Sequence, residues 1–168
     1  MAPSRDICPH CGSAVRLPRS AAHHRLFFAY IGECYLNWPE RHPFQPDNAE
    51  HLRAWLLVQA GHRDVTAYDW DSPAAAERLA DLLDAELRKD RQKGVYAWVE
   101  VVDTQVRVVR PRTIRWAELP QAAFNAVSAD VFEIGQAITG IAPQAVADGH
   151  AHHTHIRSKN HAVPISDV

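Results

Sequence analysis

Arg107, Arg110, Arg112 and Arg115 lie in the run Arg-Val-Val-Arg-Pro-Arg-Thr-Ile-Arg-Trp, which ends at Trp116 and holds no acidic residue. A guanidinium group is planar, permanently charged and able to fork two hydrogen bonds onto a phosphate, and it also lies flat on aromatic faces. Four of them beside an indole suit a phosphate backbone with bases that can stack. Nucleic acid is therefore the partner this run predicts, with Trp116 as a stacking platform. The bland alternative is pairing with acids of the same chain or of a second subunit. Exposed pairs of that kind contribute about 0–1 kcal/mol each, too little to explain four arginines in one place.

A second constellation is Cys8-Pro9-His10-Cys11-Gly12. Two thiolates at this spacing, on a turn favoured by Pro and Gly, form half of a structural zinc site. Cys8 and Cys11 with His23 and His24 would complete a two-Cys, two-His set, although adjacent helical side chains diverge by about 100°. The alternative is a pair of plain reduced thiols; a redox role has no strand leading into the pair. Near the other end stand His150, His152, His153, His155 and His161. They suit adventitious metal affinity better than a rigid catalytic centre, since only Asp148 lies nearby. A metal-dependent nuclease built on His152 and His153 is the weaker reading. No Gly-rich phosphate loop, nucleophile elbow or apolar carboxylate pair is present, so no specific motif makes the chain an enzyme.

Those residues must be positioned by a chain of 168 residues, enough for one domain with tails. The net charge of −2 excludes coating nucleic acid by bulk charge, so binding has to come from segregated sign. Between Asp69 and Asp90 seven acids face three bases, while Arg5–Arg25 and Arg107–Arg115 are net positive. Three cysteines, without a disulfide framework, fit a reducing compartment. Apolar runs fall short of the roughly 20 residues that span a bilayer. The expectation is a cytoplasmic protein with no membrane partner.

The Pro-punctuated residues 1–19 read as an irregular arm. Leu26, Phe27, Tyr30, Ile31 and Cys34 recur at three- and four-residue steps and predict a helix from Ser20 to about Trp38. After Pro39, Pro43 and Pro46, Asp47-Asn48-Ala49-Glu50 has the form of a capping box opening a helix that ends at Gly61. Its inner face is Leu52, Trp55, Leu56 and Gln59 or Val58. His62 to Tyr68 is a short extended segment. Ser72-Pro73 caps a third helix with a buried stripe of Leu79, Leu82, Leu83 and Leu87. Val95 to Val102 alternates as a strand, Asp103-Thr104 is a hairpin tip, and Gln105 to Arg110 returns, followed by a second short strand from Thr113 to Trp116. A fourth helix runs from about Pro120 to Ile138, closed by Gly140. Trp38, Trp55 and Trp98 read as core. Residues 141–168 read as a flexible, His-rich tail. The fold class is α+β: about four helices packed on a small antiparallel β-hairpin sheet, with one domain over residues 20–140.

Three segments carry a resemblance: Arg19 to Ala29 opening a helix, Leu52-Arg53-Ala54-Trp55-Leu56-Leu57-Val58-Gln59-Ala60-Gly61, and Arg110-Pro111-Arg112-Thr113-Ile114 before a helix with Glu118 and Phe124. Together they resemble small bacteriophage proteins of unassigned function and, more distantly, the NinB group, the lambda Orf recombination mediators. The resemblance spans roughly Arg19 to Ile138. It implies a homodimer in the cytoplasm of a bacterial host cell that prefers single-stranded DNA and works with host recombination proteins. It adds Arg19, His23 and Arg25 to the nucleic-acid-binding set. The Cys8 to Gly12 knuckle and the histidine tail depart from that pattern. The expected function is single-stranded DNA binding in recombination or replication; the alternative is a phage inhibitor that binds a host defence protein complex.

Overall fold

The computed structural model describes residues 20–115 and 119–149. Cys8, Cys11, Arg19, Trp116 and His150 to His161 lie outside the described residues. In chain order the elements are α1 (Ala21–Leu36), α2 (Ala49–Gln59), β1 (Arg63–Asp69), α3 (Pro73–Arg91), β2 (Trp98–Val102), β3 (Gln105–Pro111) and α4 (Gln121–Thr139). A short helix, α5, covers residues 143–149. The α+β class is as expected. The sheet, however, has three antiparallel strands in the order β1-β3-β2, because the segment after His62 joins the hairpin as an edge strand.

Local chemistry sets the boundaries. Ser20 Oγ accepts from the His23 amide at the head of α1, and Ser72 does the same for Ala75 on α3, with Pro73 in the first turn. The α2 cap is Asn48 rather than Asp47: its Oδ1 accepts from the His51 amide at 2.8 Å, while Glu50 pairs with Arg53. Gly140 ends α4 at φ 76°, the left-handed conformation that glycine adopts without a Cβ penalty. Asp103 turns the β2-β3 hairpin at φ 57°, which short polar side chains tolerate.

The sheet lies between two helical layers. On one face Leu87 and Leu83 of α3 pack on Ala97, Val99 and Val108. On the other, Trp98 meets the α2 side chain His51, and α2 in turn packs with α1 and α4. The main core joins Phe27, Tyr30, Ile31 and Cys34 of α1 to Leu52, Leu56 and Leu57 of α2 and to Phe124 and Val131 of α4. Because α2 is sandwiched, six of its residues are buried, His51 among them, and not only a stripe. The α1-α4 crossing is tight: a Cβ at Gly135 would lie 2.9 Å from the Tyr30 ring and hydroxyl. Tyr30 Oη donates toward the Phe132 and Ile141 carbonyls.

Three expectations change. Residues 112–115 do not form a second strand; the Arg112 amide bonds the carbonyl of His62, the residue before β1. Leu82 is not part of the buried stripe of α3 but 68 % exposed. Helix α5 lies in the stretch read as tail, and its Val146 is buried in the main core.

Candidate nucleic-acid interface

The strands divide the arginine run. Arg107 and Arg110 are three residues apart on β3 and therefore point to opposite faces of the sheet. Arg110 shares the α3 face, where it stands across from Asp64 of β1. Arg107 is on the α2 face between Glu100 and Ala67, and its Nε donates to Gln105 Oε1 at 2.6 Å. Arg112 follows the strand, and its Nε donates to Asp64 Oδ1 at 2.7 Å, with the two side chains 57 % and 65 % exposed. Such an open pair is weak and screened by salt, so it leaves Arg112 exchangeable toward a phosphate. Arg115 is exposed and continues toward α4.

Three of the five acids of α3 pair with their own neighbours: Asp84 with Arg88, Glu86 with Lys89 and Asp90 with Lys93. Arg112 of the arginine run pairs instead with Asp64, an acid of β1.

Arg25 is exposed near the head of α1, and His23 and His24 are half-buried there. The Ser20 amide donates to Gln121 Oε1 at 2.6 Å, so the heads of α1 and α4 lie side by side, at the end of the link that starts from β3. The His23 ring packs edge-on to Phe124 at 5.2 Å, and His24 packs on Phe28 at 4.8 Å. Among the described residues no group of three His, Cys, Asp or Glu side chains is placed to hold a metal ion.

Sequence reasoning read the β1 segment only as a short extended stretch and missed its place at the edge of the sheet. All seven of its residues are exposed, since α3 covers β2 and β3 on one face and α2 covers β3 on the other. Thr66, Tyr68 and, one step past the strand, Trp70 fall on the same face as Arg110; the Trp70 amide bonds the Thr104 carbonyl and continues the ladder. Tyr68 is 46 % and Trp70 42 % exposed, and alternate strand residues are about 6.6 Å apart. The result is a row of two accessible aromatic rings, leading along the strand to Asp64, Arg110 and Arg112. The signal was the pair Tyr68 and Trp70 itself, spaced by two beside a sheet-forming segment.

A second unforeseen group centres on His51. Its ring stacks on Tyr96 at 4.8 Å and 8°, lies over Trp98 at 6.0 Å and meets Phe44 edge-on at 5.0 Å. Phe44 stacks in turn on Trp55, which contacts Trp38. His51 Nδ1 is 3.0 Å from Asp47 Oδ2 and 3.2 Å from the Asp47 amide. The nitrogen serves one of them at a time: it donates to the carboxylate or accepts from the amide. Burial pushes the imidazole below its usual range, with Asp47 opposing the shift. Nε2 is buried without a hydrogen-bond partner. The His51 ring, walled in by aromatic rings and bonded to a solvent-facing Asp47, ties loop to sheet and does not present a base to solvent.

No helix among the described residues is long and apolar enough to cross a membrane. No protein-family model, curated protein or solved structure matches the chain.

Proposed function

We propose that the chain binds single-stranded nucleic acid along the open α3-side face of β1 and the end of β3. Bases stack on Tyr68 and Trp70, while Arg110 and Arg112 neutralise the phosphates that follow. The observation that carries this reading is the row of two half-exposed aromatic rings on the same sheet face as Arg110. Base stacking on aromatic side chains tolerates any sequence because every base has a π-face. Weak base preference and strong salt dependence are therefore expected. Arg115 and Arg25 supply further positive charge toward the α1 and α4 heads. Arg107, on the opposite face and tied to Gln105, contributes less than the arginine run suggests.

The test is binding of the purified protein to labelled single-stranded and duplex DNA across a salt series. Replacing both Arg110 and Arg112 by Ala should lower the salt slope by roughly 0.7 per lost contact. An unchanged slope would remove these residues from the interface. A second reading, a host-protein inhibitor, is favoured by the apolar side chains exposed on β1 and just past it: Val65, Tyr68 and Trp70. It predicts salt-tolerant binding to a protein and no retention of DNA at low salt.

A further inference from the structure

We propose that β1 is a dimerisation strand, pairing antiparallel with β1 of a second copy across a two-fold axis at Thr66. This would make one six-stranded sheet in the order β2-β3-β1-β1-β3-β2. The inference does not depend on nucleic-acid binding.

The hydrogen-bond parity of β1 comes first. The Arg112 amide bonds His62, its register partner, and the Trp70 amide bonds Thr104, its own. The hydrogen-bonded pairs of the β1-β3 ladder are thus those at even β1 positions, 62 through 70. The amides and carbonyls of Arg63, Val65, Ala67 and Asp69 consequently point away from β3, toward the free edge of the sheet. Pro111 fits this parity: it stands opposite Arg63, where no amide proton is required of it.

The side chains then select the occupant. In a pairing centred on Thr66, Val65 opposes Ala67 and Arg63 opposes Asp69 of the other copy, with each relation repeated by symmetry. All four are outward-bonding residues, so each exchanges both backbone bonds with its counterpart. All four side chains emerge on the α2 face, with the apolar pair at the centre and opposite charges at both ends. Within its own sheet Arg63 faces Pro111 and has no ion pair among the described residues, and Asp69 faces Gln105. A shift of the pairing by two residues would set Asp69 against Val65 in one direction and Arg63 against Ala67 in the other. The central Val65-Thr66-Ala67 carries none of the charges or prolines that block edge-to-edge pairing, and the strand is open on both faces. The same axis would set the two Tyr68-Trp70 rows on one continuous α3 face, running out in opposite directions from Thr66.

The experiment is sedimentation velocity of the full chain over a concentration series, with variants chosen by parity. Wild type is expected to form a concentration-dependent dimer. Val65→Pro removes only an outward amide and should give a folded monomer, with circular dichroism and melting temperature close to wild type. Arg63→Glu and Asp69→Arg each place like charges opposite one another and should weaken the dimer by about tenfold or more. The double variant Arg63→Glu, Asp69→Arg should restore it, which no purely structural damage would do. A wild-type monomer at every concentration overturns the proposal. If its Val65 and Ala67 amides nevertheless resist hydrogen exchange, the edge is occupied by the chain's own residues. A dimer that survives Val65→Pro, or is not rescued by the double charge exchange, also overturns it.

Discussion

Around His51 and along β1 the chain places the same kinds of side chain in opposite circumstances. His51, Tyr96 and Trp98 are of kinds that catalytic and binding sites use, yet they stack into the layer between α2 and the sheet, and the imidazole is sealed at Nε2. Tyr68 and Trp70 are no more distinctive in kind, but they stand in the open on and just past an edge strand that no helix covers, on the same sheet face as Arg110. Burial, not residue type, separates the two. Rings that contact rings stabilise the fold; rings that contact water remain available to a partner.

That contrast breaks first if core and edge aromatics respond alike to truncation. Phe124 is fully buried against Phe27 and His23, so Phe124→Ala should cost about 3–5 kcal/mol in chemical denaturation. Tyr68→Ala and Trp70→Ala should each stay within about 1 kcal/mol of wild type in that measurement. If they cost as much as Phe124→Ala, β1 belongs to the core and the interface reading fails.

Gly135→Ala sharpens the buried side at intermediate size. Its new methyl group would meet the Tyr30 ring and hydroxyl at 2.9 Å and Cys34 Sγ at 3.2 Å, and overpacking of this kind costs about 1–3 kcal/mol. Combination with Tyr30→Phe should recover part of that loss, because the clashing hydroxyl is gone. Its absence would mean the two helices separate instead of yielding at Tyr30.

The smallest effect is a pH dependence. The folded state holds His51 below the value of about 6.5 that an unfolded histidine shows. Below about pH 6.5 the unfolded chain therefore binds more protons at this site, and stability falls as the pH drops toward the folded-state value. The melting temperature of wild type should decline between about pH 7 and about pH 5 more steeply than that of His51→Phe. Equal declines would show that the ring is not sealed from solvent.

The helices were legible because caps and apolar periodicity agree: Ser72-Pro73, Gly61 and Gly140 mark ends, and Phe27, Tyr30, Ile31 and Cys34 mark a buried stripe. The β2-β3 hairpin was legible for a similar reason, since burial on the α3 face imposes period two. β1 was read only as an extended segment because a strand exposed on both faces has no burial to impose a pattern. The expected strand at Thr113 to Trp116 has an alternating sequence, but the ladder with β1 ends at Pro111, one residue before the Arg112 amide bonds the His62 carbonyl. His51 escaped notice because a helix packed on two sides buries residues outside its strongest apolar stripe. The arginine run was visible at once; its division between two faces follows from strand parity and required the register.

The most direct test of the central claim is the affinity of a labelled single-stranded oligonucleotide for wild type and for the double variant Tyr68→Ala, Trp70→Ala, at fixed low salt, with melting temperatures recorded alongside. Stacking on aromatic side chains contributes about 1–3 kcal/mol per base, so binding should weaken by about tenfold or more while the melting temperature barely moves. Unchanged binding by the double variant, or no binding by wild type, would contradict the account.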